Sequence, residues 1–246
     1  MYREPFAGGA ALFFALRPAR AVLTDANEHL IRCYAHVRTR PTLISRYLAQ
    51  HARRTSESYY YAVRDKYNQS RFSAAQAARF IYLNKTCFNG IFRVNTHGTF
   101  NVPYGRKEPP ALPTPSELQA LARALRAATL RTARYTSILP TIGRDSFVYL
   151  DPPYPPLNGT AYFQHYTIDR FSMQEQERLA ALVASLHKRG ALFMMTNADL
   201  PLIRRLYKGF RFHPMRVTRY VSCKSQRHVV QELIITNYEP SLRLLQ

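Results

Sequence analysis

The run FVYLDPPYPP, at positions 147–156, is the feature that most restricts how this chain can fold. Its first four residues are apolar or aromatic, which favours a strand buried inside a sheet. Asp151 follows directly, and the prolines after it cannot continue a ladder of backbone hydrogen bonds. The pattern therefore predicts a buried strand that ends at Asp151, with Tyr154 held close by on a stiff backbone.

Strand and helix patterns alternate on both sides of this run. Before it, EPFAGGAALFFAL indicates a strand end, a glycine turn and a helix, and AVLT is a short strand that ends at Asp25. After it comes a helix that Ser172 and Glu175 would open as a capping box and Gly190 would close, followed by the buried strand ALFMMTN. GFRFHPMRV and HVVQELIITNY alternate like an antiparallel pair. The chain is therefore predicted to form an α/β sheet that is mainly parallel, with an antiparallel pair at one end.

The stretch 41–130 has a different character. Alanine, arginine and tyrosine dominate its helical runs, such as SESYYYAVRDKYNQ and SAAQAARFIYLNKT. An irregular segment follows, in which IFRVN and TFNVP flank THG, as expected for a β-hairpin with glycine in its turn. We interpret 41–130 as an insertion, and we predict a sheet domain built from 1–40 and 131–246.

The net charge of the chain indicates what kind of molecule it binds. The chain of 246 residues has 35 Lys and Arg against 15 Asp and Glu, which gives a formal net charge of +20. Such a surface attracts polyanions, because contacts to phosphates release condensed counterions. A generic basic surface that serves solubility is the alternative. The many arginine and aromatic residues favour a nucleic-acid partner.

The sequence lacks the patterns of a membrane or secreted protein. No apolar run reaches the ~18 residues that a spanning helix needs, and no basic segment precedes ALFFAL as it would in a signal peptide. The three cysteines are far apart and form no C-x-x-C pattern, which is typical of free thiols in a reducing compartment. We therefore expect a cytoplasmic protein.

The glycine turn is the first pattern that indicates chemistry. Open α/β sheets bind ligands at the carboxyl ends of their strands. Gly8 and Gly9 lie between a strand and a helix, where a ligand can approach the backbone and the N–H groups of the helix start. Asp25 ends the next strand and is placed to bind a ribose. A tight turn with a surface aspartate is the alternative for this pattern alone.

Asp151 and Tyr154 form the second pattern. A carboxylate and a neighbouring backbone carbonyl are two acceptors, which suit an NH₂ group with its two donors. The tyrosine adds a flat face on which a ring can stack. The alternative is a turn with a strand-capping aspartate. The presence of the glycine turn and Asp25 in the same chain favours a site for a planar ring with an exocyclic amine.

These residues resemble those of the Dam-type, D12 class family of DNA adenine N6-methyltransferases, whose cofactor is S-adenosylmethionine. The resemblance covers nearly the whole chain and rests on EPFAGGAALFFAL, TDANEHLIRCY, NKTCFNGIFRVNTHGTFNVPYGR, VYLDPPYPPLNGTAYFQHYTIDRFS and MMTNAD. D-P-P-Y is shared with other enzymes that methylate amines, whereas the FNG, RVN and FNVP elements make the match specific. The implied fold is an α/β, Rossmann-like methyltransferase sheet with an inserted, mostly helical DNA-recognition domain that carries a β-hairpin.

The resemblance implies roles in cofactor binding and catalysis. The residues that would bind S-adenosylmethionine are Glu4, Pro5, Phe6, Ala7, Gly8, Gly9, Asp25, Tyr135 and Asp151. The residues that would carry catalysis are Asp151, Pro152, Pro153 and Tyr154. Asp25 would bind the ribose hydroxyls, and Tyr135 the adenine of the cofactor. Asp151 and the Pro152 carbonyl would hold the target amine, and Tyr154 would stack on an adenine flipped out of the duplex. No metal is expected.

The hairpin segment resembles the element with which the family reads DNA. Arg93 is the leading candidate for a bidentate contact to a guanine in the major groove. The expected DNA contacts are Phe88, Asn89, Ile91, Arg93, Asn95, Asn101, Pro103, Arg106 and Lys107. Each of them also has a purely structural interpretation, and Asn95 in particular suits a turn. The pattern is compatible with a GATC-type target, although readers of that sequence commonly have tyrosine at the position of Lys107.

One departure from the family pattern concerns the start of the chain. Family members normally carry a K-W-x-G-G-K-like segment before the first strand, and this sequence begins MYREPF. That segment would supply cofactor contacts and a lysine near the first guanine. We expect a missing upstream segment rather than a shortened enzyme, because the rest of the site is intact.

The prediction is site-specific methylation of adenine in duplex DNA by a monomeric, DNA-associated protein that has no membrane partner. One alternative is a DNA-binding protein whose catalysis is impaired by truncation. Another is a methyltransferase that acts on RNA or on a protein amide, since the motif suits several planar amines. Whether a cognate restriction endonuclease exists is left open.

Overall fold

The computed structural model describes residues 1–106, 111–155, 171–220 and 227–240. The strands in these ranges are β1 (Tyr2–Glu4), β2 (Ala21–Asp25), β3 (Ala128–Thr132), β4 (Phe147–Leu150), β5 (Leu192–Ala198), β6 (Arg211–Tyr220) and β7 (Arg227–Thr236). The helices are α1 (Ala11–Leu16), α2 (Glu28–Thr39), α3 (Pro41–Ala52), α4 (Glu57–Gln69), α5 (Ala74–Thr86), α6 (Pro115–Leu125), α7 (Tyr135–Ile138), α8 (Met173–Lys188) and α9 (Pro201–Leu206). Short 3-10 turns lie at Phe88–Gly90 and Leu139–Thr141. Along the described ranges, no helix combines the length and the apolar character that crossing a membrane requires.

The strands form one sheet in the order β3-β2-β1-β4-β5-β7-β6. β1 pairs in parallel with β2 and β4, and β4 pairs in parallel with β5. β7 runs antiparallel to both β5 and β6. The predicted α/β sheet, with its antiparallel pair at one end, is therefore confirmed. Because β2 lies on one side of β1 and β4 on the other, the carboxyl ends of β1 and β4 form a topological switch point, where open α/β sheets bind ligands.

The apolar runs of β4 and β5 lie in the core of the sheet. Val148, Leu150, Phe193 and Met195 are completely buried and belong to one cluster with the apolar face of α8. Burying a side chain of this kind stabilises the fold by about 1.5–3 kcal/mol. The tight packing fixes where β4 and β5 end, and therefore where the polar residues after them lie.

The ends of α8 follow the predicted signals only in part. Ser172 Oγ accepts a hydrogen bond from the Glu175 N–H at 3.2 Å, and Gly190, with φ of 80°, follows the helix end. The Glu175 carboxylate does not complete the capping box. It accepts a hydrogen bond from the Tyr135 hydroxyl at 2.6 Å instead, so a residue predicted as a cap is used for a tertiary contact.

Contacts divide the chain into two compact units. The sheet unit comprises Met1–Phe13, Pro18–Ala26 and Arg131–Gln246, and the helical unit comprises Phe14–Arg17 and Asn27–Leu130. Helices α2 to α6 all lie in the helical unit, where α5 packs against α2, α3 and α4.

Within the helical unit, α4 holds the irregular segment 92–104 in place. The Asn68 side chain donates to the Phe100 carbonyl at 3.0 Å and accepts from the Phe100 N–H at 2.9 Å. The Tyr60 hydroxyl donates to the Val102 carbonyl at 2.8 Å. These bonds satisfy backbone groups that would otherwise lack partners next to the buried Phe100 ring.

The two arms of this segment meet in isolated antiparallel bridges. Val94 pairs with Phe100, and Cys87 pairs with Tyr104, without a continuous ladder between them. Gly98, with φ of 73°, lies in the chain reversal, a conformation that favours glycine.

Candidate active site

The loop after β1 carries the glycine turn. Gly8 has φ of 45°, and its N–H donates to Asp25 Oδ2 at 2.9 Å. The Ala7 N–H donates to the Thr24 carbonyl at 2.9 Å, so two hydrogen bonds fasten the turn to the end of β2. A methyl group added at Gly8 or Gly9 would meet no described protein atom within 4 Å. The turn is therefore held in place by β2, while the space beside its glycines is free for a ligand to approach the backbone.

Glu4 ends β1 and is buried, with 2% of its surface exposed. Its Oε2 has no hydrogen-bond partner among the described residues. Burial raises the pKa of Glu4 to about 8; the nearby Tyr2 hydroxyl opposes this rise, and the negative charge of Asp151 adds to it. The carboxyl group is therefore protonated near neutral pH. A buried oxygen without a partner next to the glycine turn marks a position where a bound ligand can supply the missing hydrogen bond.

Aromatic rings lie beside the same loop. The centroids of the Phe6 and Tyr135 rings are 5.1 Å apart, and Phe171 lies 6.0 and 5.5 Å from them. Tyr135 is 5% exposed, and its hydroxyl donates to Glu175 Oε2 at 2.6 Å. Burial and the Glu175 carboxylate raise the pKa of Tyr135, so its hydroxyl remains a donor. These rings form an apolar wall that a hydrogen bond anchors to α8.

Asp151 follows β4, and it is exposed. The Thr196 hydroxyl on β5 donates to Asp151 Oδ1 at 2.6 Å. The Tyr149 hydroxyl lies 3.4 Å from the threonine oxygen and is the donor there, because the single proton of Thr196 is already used. This chain of hydroxyl groups fixes the direction of the carboxylate, while its exposure keeps it accessible to a ligand.

The rest of the D-P-P-Y motif is held by two other elements. Gln176 of α8, which is 1% exposed, donates through its side-chain nitrogen to the Pro153 carbonyl at 3.0 Å. The Tyr154 hydroxyl donates to Glu232 Oε2 on β7 at 3.2 Å. Burial, above all, raises the pKa of Tyr154 and keeps its hydroxyl protonated. Pro152 is buried and Pro153 is exposed, so the motif lies at the boundary between the core and the solvent.

Three residues of this arrangement were not singled out from the sequence: Thr196, Gln176 and Glu232. The sequence does mark each of them as unusual. Thr196 and Glu232 are polar residues inside largely apolar strands, and Gln176 lies on the buried side of α8. Their partners could not be read from the sequence, since 45, 23 and 78 positions separate the bonded pairs.

The apolar members of the expected DNA-contact set are on the surface of the helical unit. Phe88 and Ile91 are 45% and 58% exposed and lie three positions apart, so together they present apolar surface to solvent. Asn89, between them, has φ of 56°, and Pro103 is exposed beside the same segment. The Phe88 N–H donates to the Pro103 carbonyl at 2.9 Å, so the two arms present these residues from one local surface.

The two arginines of that set, Arg93 and Arg106, are exposed as well. Arg93 Nε donates to Asn101 Oδ1 at 3.1 Å, which orients the guanidinium group. Arg106 has φ of 53°, and its guanidinium lies 3.7 Å from the Glu57 carboxylate in an exposed pair. Lys107 lies outside the described residues.

Asn95 has a structural use in the turn. Its Oδ1 accepts from the N–H groups of His97 and Thr99 at 3.0 and 2.9 Å, and its carbonyl accepts from the Gly98 N–H at 2.9 Å. These bonds are those of a turn residue, which was the alternative interpretation of Asn95.

The sheet unit thus offers hydrogen-bond acceptors and ring surfaces at one edge. The described residues contain no group of three or more His, Cys, Asp or Glu side chains that could hold a metal ion. The glycine turn with Glu4 and Asp25 suits a nucleoside, and the neighbouring Asp151 suits an amine on a planar ring.

Comparison with known proteins agrees with this arrangement. The family model of the D12 class N6 adenine-specific DNA methyltransferases matches residues 1–221. A type II methyltransferase of Lactococcus lactis subsp. cremoris is 36% identical over 242 residues, which cover 96% of this chain and 85% of that protein. A type II methyltransferase of Methanocaldococcus jannaschii is 34% identical over 255 residues, covering 96% and 88%. The DNA adenine methylase of Escherichia coli (strain K12) is 31% identical over 242 residues, covering 97% and 86%.

The fold, the site and these matches define an α/β DNA methyltransferase. Within that class, the chain belongs to the D12 class of N6 adenine-specific DNA methyltransferases. The predicted family and type of enzyme are therefore confirmed.

Proposed function

We propose that this protein transfers the methyl group of S-adenosylmethionine to the N6 amine of a flipped-out adenine at a specific site in duplex DNA. The observation that carries the proposal is the position of Asp151, which Thr196 holds at 2.6 Å just after β4. β4 pairs with β1, whose loop carries the glycine turn, so the methyl donor and the target amine would meet at one sheet edge.

Three features of the sheet unit fit S-adenosylmethionine. The open side of the glycine turn leaves room for a ligand against the backbone. The hydrogen bond from Gly8 keeps the Asp25 carboxylate beside that turn, where it would bind the ribose hydroxyls. The buried oxygen of Glu4 lacks a partner among the described residues and would gain one from the cofactor. When bound, the cofactor supplies a methyl group that is already activated on a sulfonium. The full proposed set is Glu4, Pro5, Phe6, Ala7, Gly8, Gly9, Asp25, Tyr135 and Asp151.

The D-P-P-Y motif would hold the target base. The Asp151 carboxylate and the Pro152 carbonyl would each accept a hydrogen bond from one N–H group of the amine. Tyr154 would stack on the ring. Two hydrogen bonds favour a more tetrahedral nitrogen, whose lone pair is then less delocalised into the ring. Since the methyl group is activated before it reacts, positioning supplies most of the catalysis.

Asp151 has a second task as the reaction proceeds. The N6 nitrogen becomes positively charged when it gains the methyl group, and the negative carboxylate beside it stabilises that charge. Asp151 would also take the surplus proton from the nitrogen, which leaves a neutral methylated amine. The nitrogen would attack the methyl carbon directly as the methyl–sulfur bond breaks and its electron pair stays on sulfur, so no covalent enzyme intermediate would form.

The helical unit would read the target sequence. Arg93, oriented by Asn101, would make a bidentate contact to a guanine, which is typically worth about 1–3 kcal/mol of discrimination. The exposed Phe88 and Ile91 would pack on bases, and Arg106 would contact a phosphate. A GATC-type target is part of this proposal. Segments 1–40 and 131–246 would then form the catalytic domain and 41–130 the target-recognition domain.

The partners of the proposed enzyme follow from its relatives. Duplex DNA is the substrate, as supported by the family and by the relatives named DNA adenine methylase. The similarity to two type II methyltransferases supports a cognate restriction endonuclease as a second partner in the same cell.

Transfer of labelled methyl groups tests the proposal. The protein is incubated with labelled S-adenosylmethionine and unmethylated duplex DNA, with the same duplex already methylated at the adenines of GATC sites, or with RNA. We expect N6-methyladenine in the first duplex only, at sites that mapping identifies. Label on RNA or on cytosine would contradict the proposed substrate, and equal labelling of both duplexes would contradict the GATC-type target alone.

A further inference from the structure

A cleft lies in the helical unit, between α3, α4 and α5. We call it the α3–α5 cleft and define it by Tyr47, His51, Arg54, Tyr59, Lys66 and Arg79. Its volume is about 340 Å³, within the range of small-molecule sites. None of the residues assigned above to the cofactor, the target base or DNA reading lines it.

The charges in this cleft have one sign. Arg54, Lys66 and Arg79 contribute three cations, and no Asp or Glu is among the described residues that line the cleft. Asp65, the acid next to Lys66 in sequence, pairs instead with Arg64 at 3.9 Å. The cleft therefore concentrates positive charge in a concave surface, where the field of the cations adds up.

Arg79 is the least exposed of the three cations in the cleft. Its side chain is half-buried on α5, and Nη1 donates to Gln76 Oε1 at 3.0 Å. Burial lowers the pKa of Arg79, which reflects the cost of keeping this cation away from water. A guanidinium has five N–H donors, and one neutral amide contact does not compensate its charge. A bound anion would do so.

Three of the residues that line the cleft are aromatic: Tyr47, His51 and Tyr59. The His51 ring stacks on Tyr82 with centroids 4.9 Å apart and an angle of 21°, and His51 Nδ1 shares a 2.9 Å hydrogen bond with the Tyr59 hydroxyl. Burial and the charge of Arg79 lower the pKa of His51 to about 4, so the ring is neutral at pH 7. Tyr47 and Tyr59 line the cleft together with the cations, a combination that suits a phosphate attached to a planar ring.

We propose that the α3–α5 cleft binds a phosphate ester, with Arg54, Lys66 and Arg79 as its ligands. The phosphate can belong to a free nucleotide or to the backbone of bound DNA, because both present the same oxygens to the arginines. None of these three residues is assigned to methyl transfer, and binding at the cleft is measurable in the absence of cofactor.

Binding of thymidine monophosphate, measured by calorimetry, tests the site. We expect Arg79→Gln and Arg54→Gln each to weaken binding by about tenfold, since a charge-assisted hydrogen bond is lost. Arg53→Gln is the matched control, because Arg53 precedes Arg54, is exposed and does not line the cleft. It removes the same charge and should change affinity by less than about twofold. If Arg79→Gln fails to fold, the exposed Arg54 and Lys66 carry the test as Arg54→Gln and Lys66→Gln.

Duplex DNA distinguishes the two sources of the phosphate. If the ligand is a backbone phosphate, the nucleotide binds weakly, and the slope of log affinity against log salt falls by about 0.9 for each contact that a cleft variant removes. An unchanged slope with lost nucleotide binding identifies a free nucleotide as the ligand. The proposal is overturned if cleft variants and Arg53→Gln behave alike in both measurements, because the arginines then form only a solvated basic surface.

Discussion

The Thr196 hydroxyl donates a 2.6 Å hydrogen bond to Asp151 Oδ1, between neighbouring parallel strands. The register of β4 and β5 places Leu150 opposite Met195, so the next residues along both strands, Asp151 and Thr196, lie side by side. Buried apolar residues fix that register, and the direction of the proposed catalytic carboxylate is therefore set by the sheet rather than by a loop.

Removing this hydrogen bond should slow catalysis. Thr196→Val keeps the shape of the side chain and removes its donor to Asp151. A hydrogen bond to a charged group contributes about 1.5–3 kcal/mol, so kcat should fall by about 10- to 100-fold, with KM for DNA nearly unchanged. Steady-state kinetics measure both constants. Thr196→Ser retains the hydroxyl and should recover most of the rate; equal rates for the valine and serine variants would show that the hydroxyl has no such role.

Gly9→Ala should weaken cofactor binding without lowering the stability of the fold. An added Cβ at Gly9 meets no described protein atom within 4 Å, so the thermal unfolding midpoint should hardly change. The methyl group would occupy the open side of the turn, where we place the cofactor, and the affinity for S-adenosylmethionine should fall by about tenfold or more. Calorimetric titration measures that affinity. Unchanged affinity would place the cofactor away from Gly9.

Gly8→Ala is the companion variant. Gly8 has φ of 45°, which strains any other residue, so this change should lower stability by about 1 kcal/mol or more as well as cofactor affinity. Denaturant unfolding of the two variants side by side measures the difference.

Glu4 should make stability depend on pH. Its pKa rises from 4.5 to about 8 on folding, so the folded chain binds more protons between these values. The stabilising contribution of Glu4 to the free energy of unfolding is therefore fully present below pH 4.5. It is lost as the pH rises through about 8. Each pKa unit corresponds to about 1.4 kcal/mol.

Glu4→Gln removes this titration and serves as the reference. Urea unfolding of both proteins between pH 4.5 and 8 should show wild-type stability falling relative to the variant as pH rises. Parallel curves across this window would contradict the buried, protonated state of Glu4.

Arg93 and Arg106 should respond differently to substitution. Arg93→Ala should relax the sequence preference at one guanine by about 1–3 kcal/mol, because a bidentate base contact is lost. Arg106→Ala should weaken binding to all sequences alike and lower the salt slope by about 0.9, as expected for one phosphate contact. Competition binding with single-base substituted duplexes measures both effects. If Arg93→Ala weakened binding to all sequences equally, Arg93 would contact a phosphate rather than a base.

The sequence was informative wherever a local rule decides the structure. The apolar runs predicted β4 and β5, the alternation near the end predicted the β6 and β7 pair, and Gly190 follows the end of α8 as expected. The placement of Asp25 and Asp151 at strand ends followed from the same rules, because chain direction and strand length are encoded locally.

Contacts between distant segments could not be predicted in this way. Thr196, Gln176 and Glu232 hold the D-P-P-Y motif, and their pairing depends on strand register and helix placement. Glu175 shows the same limit, since its sequence context suits a capping box and its carboxylate instead binds Tyr135. A single sequence states which side chains are polar, whereas packing decides which of them meet.

The central claim is that Asp151 holds the target amine, and methyl transfer by Asp151→Ala tests it most directly. Asp145→Ala is the matched control, because Asp145 is an exposed aspartate just before the same strand. Both variants are assayed for transfer of labelled methyl to duplex DNA and for DNA binding over a series of salt concentrations. We predict that Asp151→Ala abolishes transfer and retains wild-type DNA binding, while Asp145→Ala keeps both. Methyl transfer at the wild-type rate by Asp151→Ala would contradict the role assigned to the D-P-P-Y motif.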